Sequence, residues 1–266
     1  MIFAGIDIGS TTTEAVLVDE NRQILAKSQV STGFALDSAA SKAVEICCGR
    51  AGCLPNDFTF CVATGYGRGL VSIADREFTE IACHAKGAHY FFPEARGVID
   101  IGGQDSKAIS VSESGGIADF AMNDKCAAGT GRFLDVMASI MGISVEEMGR
   151  LSLSSTVNVK ISSICTVFAE SEVISLLSTK QYEPRDIMAG IHKSVVRRVN
   201  MLVQKVRLRP PVVMTGGVAK NAGVVQAFEK LLDTTLLIPE DPQCIGALGA
   251  AVIALECYEK NKLISK

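Results

Sequence analysis

Short apolar runs alternate with longer amphipathic segments along this chain. The runs Ile2–Ile6, Phe58–Ala63 and Val212–Met214 have the length and composition of buried strands. Helical periodicity marks the segments 35–50, 79–92, 129–141, 166–177, 185–207 and 245–260, and another that follows 217 and ends near 232. This alternation predicts an α/β protein, and hairpin-like segments after two of the strands predict that each sheet is mixed.

One stretch of this pattern occurs twice. The segment Gly5–Thr12 matches the segment Val98–Asp105 at an offset of 93. The match continues downstream through Ala15 with Ala108, Val18 with Val111, Glu20 with Glu113 and Ile24 with Ile117. In both copies an apolar strand ends in Asp-x-Gly, and a polar turn and a hairpin follow. We therefore expect one copy in each of two domains, 1–96 with 241–266 and 97–240, with a cleft where the turns face each other.

Composition and charge narrow the class of protein. The chain has 266 residues, of which 48% are hydrophobic and 21% charged, as in a globular enzyme. A net charge of -3 gives no reason to expect nucleic acid or an anionic membrane as a partner. The longest apolar stretch, 245–255, is too short to span a bilayer, and no signal peptide precedes Ile2. We expect a cytoplasmic protein.

We expect no disulfide framework among the nine cysteines in a reducing cytoplasm, because the count is odd and no pair has C-x-x-C spacing. Two of them, Cys126 and Cys165, each stand just ahead of a predicted helix. A [4Fe–4S] cluster takes four thiolates, so two cysteines are half of a ligand set. This shortfall indicates a cluster shared between two copies of the chain, beside a nucleotide site in each.

The first polar turn has the chemistry of a phosphate site. Asp7 ends a predicted strand, and Gly9, Ser10, Thr11 and Thr12 follow it. Glycine allows close backbone approach, and N–H groups and hydroxyls hydrogen-bond to phosphate oxygens. Asp7 is placed to hold Mg²⁺ through water, since this hard cation prefers oxygen ligands.

Two further turns complete the pattern. Asp100 provides a second carboxylate, Gly102 and Gly103 a second glycine turn, and Gln104 a side chain that orients an attacking water. The turn Thr215–Asn221 lies between a strand and a helix, which suits the sugar, base or α-phosphate of a nucleotide. The chain contains neither the P-loop motif nor the Rossmann fingerprint, and Gly65–Gly69 is interpreted as a loop after a strand.

The duplicated Asp-x-Gly strand, turn and hairpin, with the late Thr-Gly-Gly turn, resemble the actin, hexokinase and Hsp70 ATPase superfamily. Within it, the chain is similar to the ATP-dependent activators of 2-hydroxyacyl-CoA dehydratases and the related ATPase subunits of benzoyl-CoA reductase, over about 6–251. The stretches that carry this resemblance are Ala63–Arg68, Asp100–Asp105, Asn123–Phe133 and Ile161–Glu172. The resemblance implies a duplicated actin-like (ribonuclease H-like) fold with two lobes around a nucleotide cleft.

The resemblance also implies a reductive activase. Cys126 and Cys165 of two subunits would bind one [4Fe–4S] cluster per homodimer, and Asp7, Asp100 and Gln104 would act on ATP and Mg²⁺. ATP binding and hydrolysis would reorient the helices at the cluster and drive an electron to a dehydratase, a benzoyl-CoA-type reductase or a double-cubane cluster protein, with ferredoxin or flavodoxin as the donor. The nucleotide-binding positions expected are Gly9, Ser10, Thr11, Thr12, Thr13, Gly102, Gly103, Gly216, Gly217, Val218, Lys220, Asn221 and Gln243.

Two other functions fit the same turns. A small-molecule kinase of the superfamily, such as an N-acetylhexosamine kinase, would need an acidic base and a substrate pocket, and it would have no use for paired cysteines. A nucleotide switch that regulates a partner without catalysis is the other alternative. A brown, cluster-containing protein distinguishes the activase from both.

Overall fold

A computed structural model describes residues 1–162 and 165–264. The chain divides into two compact units. The first contains Met1–Ala95, Val111–Ala118 and the segment from Pro239 onwards, and the second contains Arg96–Ser110 and Asp119–Ile238. The domain limits expected from the sequence, 1–96 with 241–266 and 97–240, stay a prediction.

The first unit is built on a mixed sheet with the strand order β3-β2-β1-β4-β5. Its strands are β1 (Ile2–Ile8), β2 (Thr12–Asp19), β3 (Ile24–Ser31), β4 (Phe58–Gly65) and β5 (Arg76–Glu77), and its helices are α1 (Leu36–Ala51), α2 (Glu80–Phe91) and α8 (Ile245–Ile264). Side chains alternate across β1, so Phe3 packs in one apolar cluster with α8 and Ile6 in another with α1. The sheet is therefore covered on both faces.

The second unit repeats this plan with the strand order β10-β9-β6-β7-β8. Its sheet is formed by β6 (Gly97–Ile101), β7 (Ser106–Val111), β8 (Ile117–Asn123), β9 (Val212–Thr215) and β10 (Leu236–Leu237). Its helices are α3 (Gly131–Met141), α4 (Val145–Ser152), α5 (Thr166–Thr179), α6 (Pro184–Lys205) and α7 (Ala222–Leu232). Short 3-10 helices cover Pro55–Asp57 and Arg68–Leu70 in the first unit and Gly217–Lys220 in the second.

The predicted α/β class, the mixed sheets and the two hairpins are confirmed. Three elements were missed from the sequence. Helix α4 is only eight residues long, and β5 and β10 have two residues each, so none of them is long enough to show a clear period. Within the described ranges no helix is long and apolar enough to cross a membrane.

Candidate functional site

The first polar turn joins β1 to β2 in the first unit. The Gly9 N–H donates to the Thr12 carbonyl over 3.0 Å. The Thr32 hydroxyl, just after β3, donates to the Gly9 carbonyl over 2.9 Å and is 2.9 Å from the buried Thr13 hydroxyl. The hydroxyl residues Ser10 and Thr11 remain accessible at the surface of the turn. The backbone of the turn is thus held by hydrogen bonds, while the hydroxyls of Ser10 and Thr11 are accessible to an anion.

The Asp7 carboxylate lies in a close-fitting enclosure at the end of β1, where it is only 7% exposed. A Cβ at Gly65 would overlap its Oδ1, and a Cβ at Gly246, in the first turn of α8, would overlap its Oδ2. The same Cβ at Gly246 would lie 3.1 Å from Nε2 of the buried His84. Any side chain at either glycine therefore displaces the carboxylate that we expect to act on magnesium and phosphate.

In the second unit Asp100 occupies the place that Asp7 has in the first. It is 2% exposed, and its Oδ1 accepts from the Thr215 hydroxyl over 2.8 Å. Its Oδ2 accepts from Lys107 Nζ over 3.0 Å, and the same Nζ donates to Asp105 Oδ2 over 2.6 Å. Because Lys107 is 1% exposed, a buried cation bridges the two carboxylates of the second turn.

The duplication extends further than the sequence match. Thr64 is the register partner of Asp7, as Thr215 is of Asp100. The next residues are Gly65, with φ 86°, and Gly216, with φ 82°. Each glycine has a positive φ, which side-chain-bearing residues rarely adopt, beside the carboxylate of its unit. The segment beginning at Gly65, which is interpreted from the sequence as a plain loop, is therefore the counterpart in the first unit of the turn Thr215–Asn221 in the second.

The two copies differ in the charge opposite the aspartate. The antiparallel partner of Asp7 on β2 is Glu14, which is 3% exposed, whereas the partner of Asp100 on β7 is Lys107. Two adjacent carboxylates attract a cation, while a carboxylate beside an ammonium is already neutralised. The residue opposite the aspartate is thus acidic in the first turn and basic in the second.

The second turn is joined to the start of α3 by backbone hydrogen bonds. The Gly131 N–H donates to the Gly102 carbonyl over 2.9 Å, and the Arg132 N–H donates to the Gly103 carbonyl over 2.8 Å. Gln104, the residue after these glycines, is exposed at the tip of the turn. The second turn and the first residues of α3 are therefore joined directly.

The remaining predicted nucleotide positions have different environments. Gly217 and Lys220 are exposed, and Val218 is buried. Asn221 is 2% exposed, its Oδ1 accepts from the Val224 N–H over 3.0 Å as the N-cap of α7, and its Nδ2 donates to the Val145 carbonyl over 2.9 Å. Both polar atoms of Asn221 thus hold the second unit together, and a contact of this side chain with nucleotide stays a prediction. Gln243 lies half-buried in the turn before α8, in the first unit.

Cys126 lies in the loop between β8 and α3. Asn123 Nδ2 donates to the Cys126 carbonyl over 2.8 Å, and the Thr130 hydroxyl donates to the Ala127 carbonyl over 2.7 Å. These bonds form a compact loop that leaves the Cys126 side chain partly exposed. The loop ends where α3 begins, at the hydrogen bonds with the second turn.

Cys165 is the N-cap residue of α5, and its carbonyl accepts from the Ala169 N–H over 2.9 Å. Of the nine cysteines, all of which lie in the described ranges, Cys165 alone is exposed. Val167 and Phe168 follow it and are 66% and 68% exposed. An open thiol at a helix N-terminus beside exposed apolar side chains is suited to bind a bulky cofactor and to be covered by another protein. Cys165 and Cys126 belong to the same unit.

Sequence reasoning missed Lys107, Gly246, His84 and the role of Gly65. In the sequence repeat, with its offset of 93, Lys107 occupies the position that Glu14 has in the first copy. This correspondence was the one signal in the sequence that Lys107 belongs to the site. Gly246 and His84 had no such signal, because they are distant in sequence from Asp7 and are brought to it only by packing.

Two units that repeat the same sheet order, with an Asp-x-Gly turn at the same place in each, have the architecture of the actin and hexokinase fold. The chain belongs to the BadF/BadG/BcrA/BcrD ATPase family, whose model matches residues 4–254. It is an ATPase. This confirms the resemblance and the fold class inferred from the sequence.

Relatives with assigned roles match over nearly the full length. The chain is 46% identical to the 2-hydroxyisocaproyl-CoA dehydratase activator of Clostridioides difficile, with 98% of each chain covered. It is 49% identical to the (R)-2-hydroxyglutaryl-CoA dehydratase activating ATPase of Acidaminococcus fermentans, covering 94% of this chain and 95% of that one.

The solved structures agree with this assignment. The activator of the 2-hydroxyisocaproyl-CoA dehydratase from Clostridium difficile with bound ADPNP has a TM-score of 0.93 and 45% identity, covering 100% of this chain and 98% of that one. A ROK family glucokinase from Streptomyces griseus has a TM-score of 0.60 at 14% identity, covering 96% of this chain and 100% of that one. This second likeness concerns the fold alone.

Proposed function

We propose that this ATPase is a reductive activator, which couples ATP binding and hydrolysis to the transfer of a low-potential electron to a partner iron–sulfur enzyme. Cys126 and Cys165 of two copies supply the four thiolates of one [4Fe–4S] cluster, which when bound provides a one-electron carrier. The partner is a 2-hydroxyacyl-CoA dehydratase, a benzoyl-CoA-type reductase or a double-cubane cluster protein, and the donor is a ferredoxin or flavodoxin.

The accessibility of the two thiols supports this assignment. Cys165 is exposed and Cys126 partly exposed, whereas six of the other seven cysteines are buried. An exposed apolar side chain lies within four residues of each thiol along the chain, Met122 (37% exposed) before Cys126 and Phe168 (68% exposed) after Cys165. A second copy that covers these side chains would complete the ligand set and remove the apolar surface from water.

The observation that carries the coupling is the pair of hydrogen bonds between the second turn and α3. The Gly102 and Gly103 carbonyls accept from the first two N–H groups of α3, and the Cys126 loop leads into that helix. In our proposal, the turn moves when its side chains bind or release phosphate, and α3 carries that movement to the Cys126 thiol. A nucleotide-dependent change is thereby converted into a change of position at one cluster ligand.

The nucleotide end of the site is assigned to the two aspartates and the exposed glutamine. Asp7, opposite Glu14, holds Mg²⁺ through water and orients the phosphates. Gln104 positions the attacking water. Asp100 is neutralised by Lys107 and chiefly holds the second turn in its conformation, although water-mediated contact with magnesium remains part of the prediction.

The names of the relatives favour this function over the alternatives. The relatives with assigned roles that match most of this chain are activators of acyl-CoA dehydratases and a benzoyl-CoA reductase subunit, whereas the sugar kinase shares only the fold. A kinase for a small molecule is thus not favoured. A nucleotide switch without catalysis does not agree with an ATPase family.

The cluster is tested by spectroscopy on anaerobically purified protein. We expect a brown dimer with broad absorbance near about 400 nm, and loss of both colour and bound iron in Cys126→Ser and Cys165→Ser. Cys257→Ser is the control, because this buried thiol of α8 belongs to the other unit, and it should keep the iron content unchanged. A monomer that retains a complete cluster would contradict the shared site.

The coupling is tested separately with Gln104→Ala. This variant should keep the cluster spectrum and bind ATP, yet lose ATP hydrolysis and ATP-dependent reduction of the partner together. Gln23→Ala, in the exposed turn between β2 and β3, is the control. If Gln104→Ala reduces the partner at the normal rate while hydrolysis is lost, hydrolysis and electron transfer are not coupled through this turn.

A further inference from the structure

Two cysteines of the first unit come together at the C-terminal end of α1. The helix ends at Ala51, and Gly52 follows in the left-handed conformation with φ 69° and ψ 33°. The Cys53 N–H then donates back to the Cys48 carbonyl over 3.1 Å. In this type of helix ending, the residue after the glycine folds back onto the last turn and touches a side chain there. Here both of those positions are cysteines.

The side chains of this pair are neighbours that line the same cavity. Burial, followed by the neighbouring Cys53 thiol, raises the pKa of Cys48 to about 12. Cys48 is 3% exposed, while Cys53 is partly exposed. A reagent therefore reaches Cys53 first and finds a second thiol directly beside it.

Both thiols line one cavity of the first unit. This cavity has a volume of about 700 Å³ and is walled by α1 and by the segments around Leu54 and Val71. Leu54 is 68% exposed at its edge, so the cavity is accessible from the surface. A small thiol reagent consequently has both a route to the pair and room for its own substituents.

The neighbouring Cys47 is turned the other way. It is 1% exposed, and its thiol donates to the Ala15 carbonyl of β2 over 3.4 Å. Burial raises the pKa of Cys47 to about 11. The adjacent cysteines thus differ in what they face: Cys47 packs on the sheet and Cys48 lines the cavity with Cys53.

We propose that Cys48 and Cys53 form a reversible dithiol–disulfide site, which a low-molecular-weight disulfide oxidises. Cys53, as thiolate, attacks one sulfur of the reagent, whose S–S bond breaks and releases one thiol. Cys48, losing its proton to solvent, then attacks Cys53 and displaces the second thiol. The protein loses two hydrogens and two electrons, and the reagent becomes two thiols.

Closure of this disulfide changes the first unit locally. It links the last turn of α1 covalently to the segment before the 3-10 helix Pro55–Asp57, across a hydrogen bond that already exists. Since the Cys53 N–H already bonds to the Cys48 carbonyl over 3.1 Å, the two residues are held close together before the disulfide closes. The high pKa of Cys48 makes the closing step base-dependent, so the disulfide should form faster as the pH rises.

Peptide mapping tests the proposal on the full-length, anaerobically purified protein. Trypsin cleaves after Lys42, Arg50 and Arg68, so Cys48 and Cys53 fall in separate peptides, 43–50 and 51–68. After treatment with glutathione disulfide and alkylation of the remaining thiols, we expect these peptides to be disulfide-linked, and dithiothreitol should separate them. Cluster ligands lie in other peptides and do not interfere with this measurement.

Three variants identify the atoms involved. Cys48→Ser and Cys53→Ser should abolish the link, whereas Cys47→Ser, altered at the adjacent residue, should retain it. If 43–50 and 51–68 stay unlinked in the unaltered protein while Cys53 becomes glutathionylated, or if Cys47→Ser removes the link, the proposal is wrong. The unaltered chain shows whether the two peptides are linked, and the variants assign the link to Cys48 and Cys53, since Cys47 shares peptide 43–50 and Cys61 shares peptide 51–68.

Discussion

Replacement of the buried Lys107 by methionine is the sharpest test of how the second turn is held. Lys107 Nζ donates to Asp100 Oδ2 over 3.0 Å and to Asp105 Oδ2 over 2.6 Å. Methionine keeps most of the volume of the side chain and removes its charge. Asp100, itself 2% exposed, would then be a buried carboxylate beside an apolar group.

The expected cost follows from this burial. Removing one partner of a buried ion pair destabilises a protein by about 3–5 kcal/mol, because the remaining charge has lost its compensation. In a protein of this size, that corresponds to a decrease in the melting temperature on the order of 10 °C. ATP hydrolysis should fall as well, since the turn that carries Gln104 loses its support.

Urea unfolding and ATPase rates measure these two effects. The double variant Lys107→Met with Asp100→Asn should recover most of the stability, because a neutral amide still accepts from the Thr215 hydroxyl. The control is Lys86→Met, which removes the partly exposed ion pair of 3.1 Å with Glu256 and should cost less than about 1 kcal/mol. A loss below about 1 kcal/mol for Lys107→Met would refute the account of a charge-compensated turn.

Three other predictions follow from buried groups. Burial lowers the pKa of His192 from 6.5 to about 4. The imidazole therefore binds a proton at a higher pH in the unfolded chain than in the folded one, and the free energy of unfolding decreases as the pH falls from 6.5 towards 4. Urea unfolding should show a loss of about 2 kcal/mol between about pH 7.5 and pH 5 from this group, and His192→Gln should remove that part of the dependence. Gly246→Ala should displace Asp7 and slow ATP hydrolysis by about 100-fold, while Gly49→Ala, where a Cβ meets no atom within 4 Å, should leave the rate unchanged. Asn221→Ala should lower the free energy of unfolding by about 2–3 kcal/mol, because it removes both the cap of α7 and the bond to the Val145 carbonyl. Asn221→Asp keeps the cap and loses only the bond to Val145, so its stability should lie between that of the unaltered protein and that of Asn221→Ala. Equal losses in both variants would contradict this division.

Several of these groups were accessible from the sequence and others were not. The Asp-x-Gly turns were found because they occur twice at a constant offset, and repetition stands out against chance. Lys107 was overlooked because an alternating strand gives no indication of which polar residue faces inward beside a carboxylate. The nucleotide contact of Asn221 stays a prediction, and its role as the N-cap of α7 could also have been predicted, because asparagine is preferred at that position.

The class, the mixed sheets and the position of the two Asp-x-Gly turns were determined by the sequence itself, because apolar periodicity and local turn chemistry depend on neighbouring residues. The family followed from motifs of the same local kind, and the comparisons confirm it. Only the tertiary structure decided that Gly65 and Gly246 enclose Asp7, that Lys107 neutralises Asp100, and that α3 rests on the second turn. These contacts join residues from separate strands and helices, and their geometry is set by how the elements pack, which no local pattern encodes.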